Sequence, residues 1–140
     1  MKLRILIDHI KAECPAFAGR VAGAAEFAAA AAEADRLAVP HAFVIRLVED
    51  VEPSITAGAV EQPSEEWFGI VVCVSNTADA RGQGGDDTLD DVRAELRAAL
   101  KGWQPDADHA PMEYRGFETL DLTRARLWRR FDFSTLTSEP

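Results

Sequence analysis

The sequence predicts an α+β fold: one small domain, residues 1–140, with a mostly antiparallel or mixed sheet of about 4–5 strands and two or three helices packed on it. Three observations carry that expectation. Residues 67–75, WFGIVVCVS, are a continuous apolar, β-branched run, as in a central strand covered on both faces. In the segment ending at Leu100, residues Leu89, Val92, Leu96, Ala99 and Leu100 form one helical stripe. The last third holds two alternating segments, MEYRGFETLDL and RLWRRFDFST, joined near Leu122 to Ala125, which read as an antiparallel hairpin.

In chain order, Leu3, Leu6, Ile7, Ile10 and Cys14 fall at helical spacing, so residues 2–14 read as an amphipathic helix ended by Pro15. The alanines from Ala24 to Ala34 favour a second helix, and Arg20 to Ala22 suit the start of a strand. After Pro40, HAFVIRLVED alternates as a strand, with Phe43, Ile45 and Leu47 on one face and Val44, Arg46 and Val48 on the other. Residues 51–64 carry two prolines and a glycine and read as a loop or loose hairpin arm. The glycine-rich stretch NTADARGQGGDD reads as a loop before the third helix, whose start is assigned to Thr88 with Asp91 in a box-like cap. The two segments at 49–66 and 76–88 are expected to be mobile in the free protein and ordered on assembly.

That third helix ends in ALKGWQPD. Gly102 suits the left-handed position after a helix, Trp103 can fold back over the last turn, and Pro105 prevents continuation. Trp103 and Trp128 are therefore expected to seal the core. In the closing strand Leu127, Arg129, Phe131 and Phe133 share one face, while Trp128, Arg130 and Asp132 share the other.

Fifteen basic residues against twenty-four acidic ones leave a net charge of −9, a poor basis for sequence-independent nucleic-acid binding. Nothing approaches the roughly 20 consecutive apolar residues of a membrane span. The start MKLRILIDHIKAECP is charged and lacks a small-residue cleavage site, so the expectation is synthesis in the cytosol. Cys14 and Cys73 read as buried free thiols. RGQGGDD offers Gly82 and Gly84 at helix-entry spacing, but Asp87 stands where a third glycine belongs. Asp86, Asp87, Asp90 and Asp91 would also repel a phosphate. His9, His41 and His109 lack partners at metal-ligand spacing, and Ser75 and Ser134 lack a nucleophile context. The residues alone point to protein contact rather than catalysis. Late arginines (Arg124, Arg126, Arg129, Arg130) and separate acidic groups suit head-to-tail association of identical chains, and equally suit solvated faces.

Taken together, PHAFVIRLVED, EEWFGIVVCVSNTADARGQGG, RAELRAALKGWQPD and YRGFETLDLTRARLWRRFDFST resemble the small tail terminator proteins of tailed bacteriophages and prophages, over roughly residues 40–135. The most telling pieces are N-x-x-D-x-R-G at Asn76 to Gly82, L-x-G-W-x-P at Leu100 to Pro105, and the closing LW-x-x-x-F. The resemblance implies a structural virion protein assembled in the host cytoplasm, with no catalysis, cofactor or metal. It implies a ring of about six copies on the head-proximal end of the tail tube that stops polymerisation and docks the head's connector. Tail tube protein, connector and further copies of the chain are then the partners, no membrane is involved, and genomic DNA passes through the lumen without specific binding.

On that reading the interface candidates are Asp79, Arg81, Arg124, Arg126, Arg129, Arg130, Glu49, Asp50 and Glu52. Asp86, Asp87, Asp90 and Asp91 are candidates to line the lumen, where acids repel DNA. Two other readings stand beside it: another head–tail connector or tail-completion protein, and an acidic DNA-mimic regulatory domain.

Overall fold

Five strands form one sheet in the order β1-β2-β3-β5-β4. The chain is a computed structural model that describes residues 1–54, 56–76, 83–123 and 125–139. The elements are α1 (Leu3–Glu13), β1 (Val21–Ala22), α2 (Ala24–Ala31), β2 (His41–Val51), β3 (Gln62–Ser75), α3 (Gln83–Leu100), β4 (Glu113–Leu122) and β5 (Arg126–Glu139). β1 runs parallel to β2, and every other pairing is antiparallel, so the sheet is mixed and the fold is α+β as expected.

The period-2 alternation of the strands divides the core into two layers. On one face Val44, Phe68, Ile70, Val72, Val74, Phe131 and Phe133 meet Leu6 and Ile10 of α1 and Leu89, Val92, Leu96 and Leu100 of α3. Each of the fully buried phenylalanines contributes on the order of 2–3 kcal/mol by leaving water. On the other face Phe43, Val71, Cys73 and Trp128 pack beneath Phe27, Ala30 and Ala34. Phe27 meets Phe43 and Trp128 edge-on, with ring centroids 5.4 and 5.9 Å away.

Helices thus cover both faces. The cause is the parallel β1–β2 pair, which needs a crossover of a dozen or more residues. Residues 23–40 supply it through α2 and a 3₁₀ turn at Ala34–Arg36, and the small alanine side chains let it lie close to the sheet.

Three expected boundaries move. β2 contains a bulge: Arg46 pairs with Phe68 and Val48 with Trp67, leaving Leu47 extra. Val48 therefore joins the Phe43 face instead of the Val44 face. α3 begins at Gln83, and the Thr88 hydroxyl donates to the Gly84 carbonyl one turn back, so it is no cap. An early start is possible because Gly85 lets the helix lie against β3. A Cβ there would stand 2.7 Å from Asn76 Oδ1 and 3.3 Å from the Ser75 carbonyl. Finally, β2 and β3 pair as far as Val51 and Ser64, which shortens the expected 49–66 loop to a tip at 52–61.

α3 stops as the local rules require, with Gly102 at φ 82°. Its N–H donates to the Met112 carbonyl, and Met112 N–H donates to the Trp103 carbonyl, tying the helix end to the approach of β4.

Candidate functional site

The surfaces available for contact come from four places: the β2–β3 arm, the acidic start of α3, the arginines of β5 and the open edge of β4. Asp79, Arg81 and Arg124 lie outside the described residues.

The arm arises because β2 outruns the two-residue β1, while β3 stays paired with β5 along its length, and β2 and β3 are closed by a turn that holds itself. Ser54 Oγ accepts from Glu61 N–H at 3.1 Å and donates to the Ala59 carbonyl, which also accepts from Thr56 Oγ1. Pairing sets Glu49 directly opposite Glu66 and Asp50 opposite Glu65, an arrangement of like charges that costs stability unless compensated. Compensation reaches only the β3 partners. Glu66 is met by Arg46 at 3.2 Å, by the Met1 amino group at 3.4 Å and by His109 at 3.5 Å. Glu65 is met by Arg115 at 2.9 Å, whose guanidinium lies 5.0 Å over the Trp67 ring. Glu49, Asp50, Glu52 and Glu61 have no cation within 4 Å among the described residues.

The β5 arginines are engaged within their own chain. Arg126 donates to the carbonyls of Ala34 at 3.0 Å and Leu37 at 3.2 Å, clamping the crossover to the sheet. Arg129 holds Asp86 at 2.9 Å and Thr119 Oγ1 at 3.0 Å, and lies over Phe117. Arg130 grips Asp132 through two nitrogens and reaches Glu118, and the Asp132 carboxylate pushes its pKa above the ordinary value. Asp86, Asp87, Asp90 and Asp91 are all exposed on the N-terminal half of α3, and Asp86 in the first turn complements the helix dipole.

β4 is the outermost strand at its side of the sheet and leaves Phe117, Leu120 and Leu122 exposed, at 52%, 41% and 61%. Bulges at Arg115 and Leu120 interrupt it, and Gly116 between them sits at φ 108°, a conformation costly for any other residue. A long strand with apolar side chains and one unpaired backbone edge is suited to pairing with another chain.

Several of the remaining polar and aromatic residues have structural partners. Trp103 is half-buried and stacks on His9, whose Nε2 is 2.9 Å from the Ala99 carbonyl; Trp128 is buried in the second layer. His109 holds Asp106 at 2.7 Å, and that hydrogen bond keeps the Asp106 carboxyl below its usual range. Burial pushes the thiols of Cys14 and Cys73 up to about 12, which removes nucleophilic character at neutral pH. No group of three or more metal-ligating side chains sits together among the described residues.

Two features escaped the sequence reading. Arg115, lodged in the β4 bulge, bridges three strands, and no periodicity announces a bulge. Arg93, Arg97 and Lys101 make a row on α3 at four-residue spacing, a pattern that cations placed to complement the end of a helix dipole also produce.

Among the described residues most ionisable groups of these surfaces serve packing and ion pairing, and the arm and the sheet edge are open to contact with other chains. The chain belongs to the phage tail terminator family: the sequence model described as phage tail terminator protein matches residues 1–138. No individually curated protein matches it. The family makes the chain a structural component of the phage tail, and hence of the virion. No helix among the described residues is long and apolar enough to cross a membrane.

Proposed function

We propose that this protein completes the tail by forming a ring, about six copies, on the head-proximal end of the tube. The ring halts addition of tube subunits and presents its far side to the head's connector protein. The observation that carries this reading is the family match over residues 1–138. The exposed apolar strand β4 and the projecting arm support it, since a ring of identical chains needs two different, complementary surfaces on each copy.

In such a ring the exposed acids at the start of α3, Asp86, Asp87, Asp90 and Asp91, face the lumen and keep genomic DNA from sticking. Glu49, Asp50 and Glu52 on the arm meet a neighbour. Arg126, Arg129 and Arg130 take part with the ion pairs and clamps they already hold, so they shape the contact surface more than they supply bare charge. No chemical step or cofactor is required.

Sedimentation velocity on the purified chain, alone and with tail tubes, tests the ring. A discrete species near six chains is expected. A chain that remains monomeric in both settings overturns the proposal.

A further inference from the structure

A concavity of about 650 Å³ lies where the end of α3 meets the start of β4, within the size range of ligand sites. Arg97, Lys101, Pro111, Tyr114, Arg115 and Leu136 line it, together with Glu113, whose carboxylate is paired with Arg115 at 2.8 Å. Arg93 lies one turn before Arg97 on the same stripe of α3. The Arg93 and Arg97 guanidiniums sit 5.3 and 5.2 Å over the Tyr114 ring, and Arg93 Nε donates to the Tyr114 hydroxyl at 3.2 Å. Arg97 Nε is buried and has no acceptor.

None of Arg93, Arg97 and Lys101 has a carboxylate within 4 Å among the described residues, although acids outnumber bases by nine. Three cations spaced four residues apart repel one another along a helix. Helix-dipole complementarity accounts for cations near the end of α3. It does not account for a buried guanidinium nitrogen with no acceptor on the wall of a concavity.

The missing counter-charge is present elsewhere on the same chain. The arm carries Glu49, Asp50, Glu52 and Glu61 without cations, flanked by exposed Val51 and Val60, while Leu136 is an exposed apolar side chain on the concavity wall. We propose that the acidic tip of the β2–β3 arm of one copy seats in the α3–β4 concavity of a second copy. Its carboxylates meet Arg97 and Lys101, and its valines pack on Leu136 and Pro111. Arm and concavity are different surfaces, so the contact can run head to tail and propagate around a closed ring. The proposal rests on the ring reading above and names the surfaces that close it.

The test uses two charge-reversed forms of the full chain. One carries Arg97→Glu with Lys101→Glu, and the other carries Glu49→Lys, Asp50→Lys and Glu52→Lys. Circular dichroism and thermal melts first establish that both fold. Each variant alone is expected to lose self-association by at least about tenfold in sedimentation velocity at low salt. An equimolar mixture is expected to recover it, because every contact in an alternating ring is then either native or doubly reversed.

Association unchanged in both variants overturns this contact and leaves the ring reading standing. Loss without recovery in the mixture also overturns it, and assigns the cation row to another anion; duplex DNA added to the wild-type chain then reads out a phosphate backbone. A wild-type chain that never self-associates, alone or on tail tubes, overturns the ring reading itself.

Discussion

Trp103 and His9 lie face to face, ring centroids 3.8 Å apart and 5° from parallel. The contact joins the residue just past the end of α3 to the middle of α1, and His9 also reaches the Ala99 carbonyl in the last turn of α3. A tryptophan placed after a helix stop is thus used to pin two helices together over the sheet.

Replacing Trp103 by Ala is expected to cost about 2–3 kcal/mol, somewhat less than for a fully buried aromatic because the ring is only half-buried. His9→Ala should cost less, about 1 kcal/mol, since it removes one stacked partner and one hydrogen bond. Urea unfolding midpoints measure both. A Trp103→Ala loss below about 0.5 kcal/mol would show that the stack is incidental.

The glycines of α3 separate two mechanisms. Gly102→Ala meets no atom within 4 Å and should cost only the roughly 1 kcal/mol of a left-handed backbone. Gly85→Ala drives a Cβ against Asn76 and the Ser75 carbonyl and should cost more, about 1–3 kcal/mol, unless α3 shifts away from β3. Thermal melts rank the pair, and equal effects would contradict the close approach.

Stability should also report the two buried thiols. Both are raised from an ordinary 9.0 to about 12, so folding favours the protonated form. Their contribution is complete below pH 9 and is lost as pH rises from there toward 12, by up to about 1.4 kcal/mol per pH unit for each thiol. Cys14→Ala with Cys73→Ala should flatten the stability–pH curve in that window. Thiol reagents should stay silent at pH 8 until the chain is unfolded.

Most of the framework was readable because each element obeys one period. Apolar spacing located α1 and α3, the β-branched run located β3, and strict alternation assigned both faces of β5 correctly. What escaped was set by contacts between segments distant in sequence. The Leu47 bulge reverses Val48, and nothing in HAFVIRLVED marks it. α3 starts before Thr88 because Gly85 packs on Asn76, a tertiary fact. α2 lies opposite the other helices because β1, two residues long, pairs in parallel with β2.

The interaction surfaces were less readable than the fold. Arg126 looked like a free cation and instead clamps the Ala34 and Leu37 carbonyls. Arg129 and Arg130 likewise find acids on their own chain. Composition counts charges but cannot say which are already neutralised. That distinction draws attention away from β5 and toward Arg93, Arg97 and Lys101.

The central claim, that this chain ends tube growth and permits head joining, is tested most directly by electron microscopy of particles assembled without it. The account predicts tails of variable and excessive length, unattached to heads, with normal length and joining restored when the protein is supplied. Tails of normal length joined to heads in its absence would contradict it.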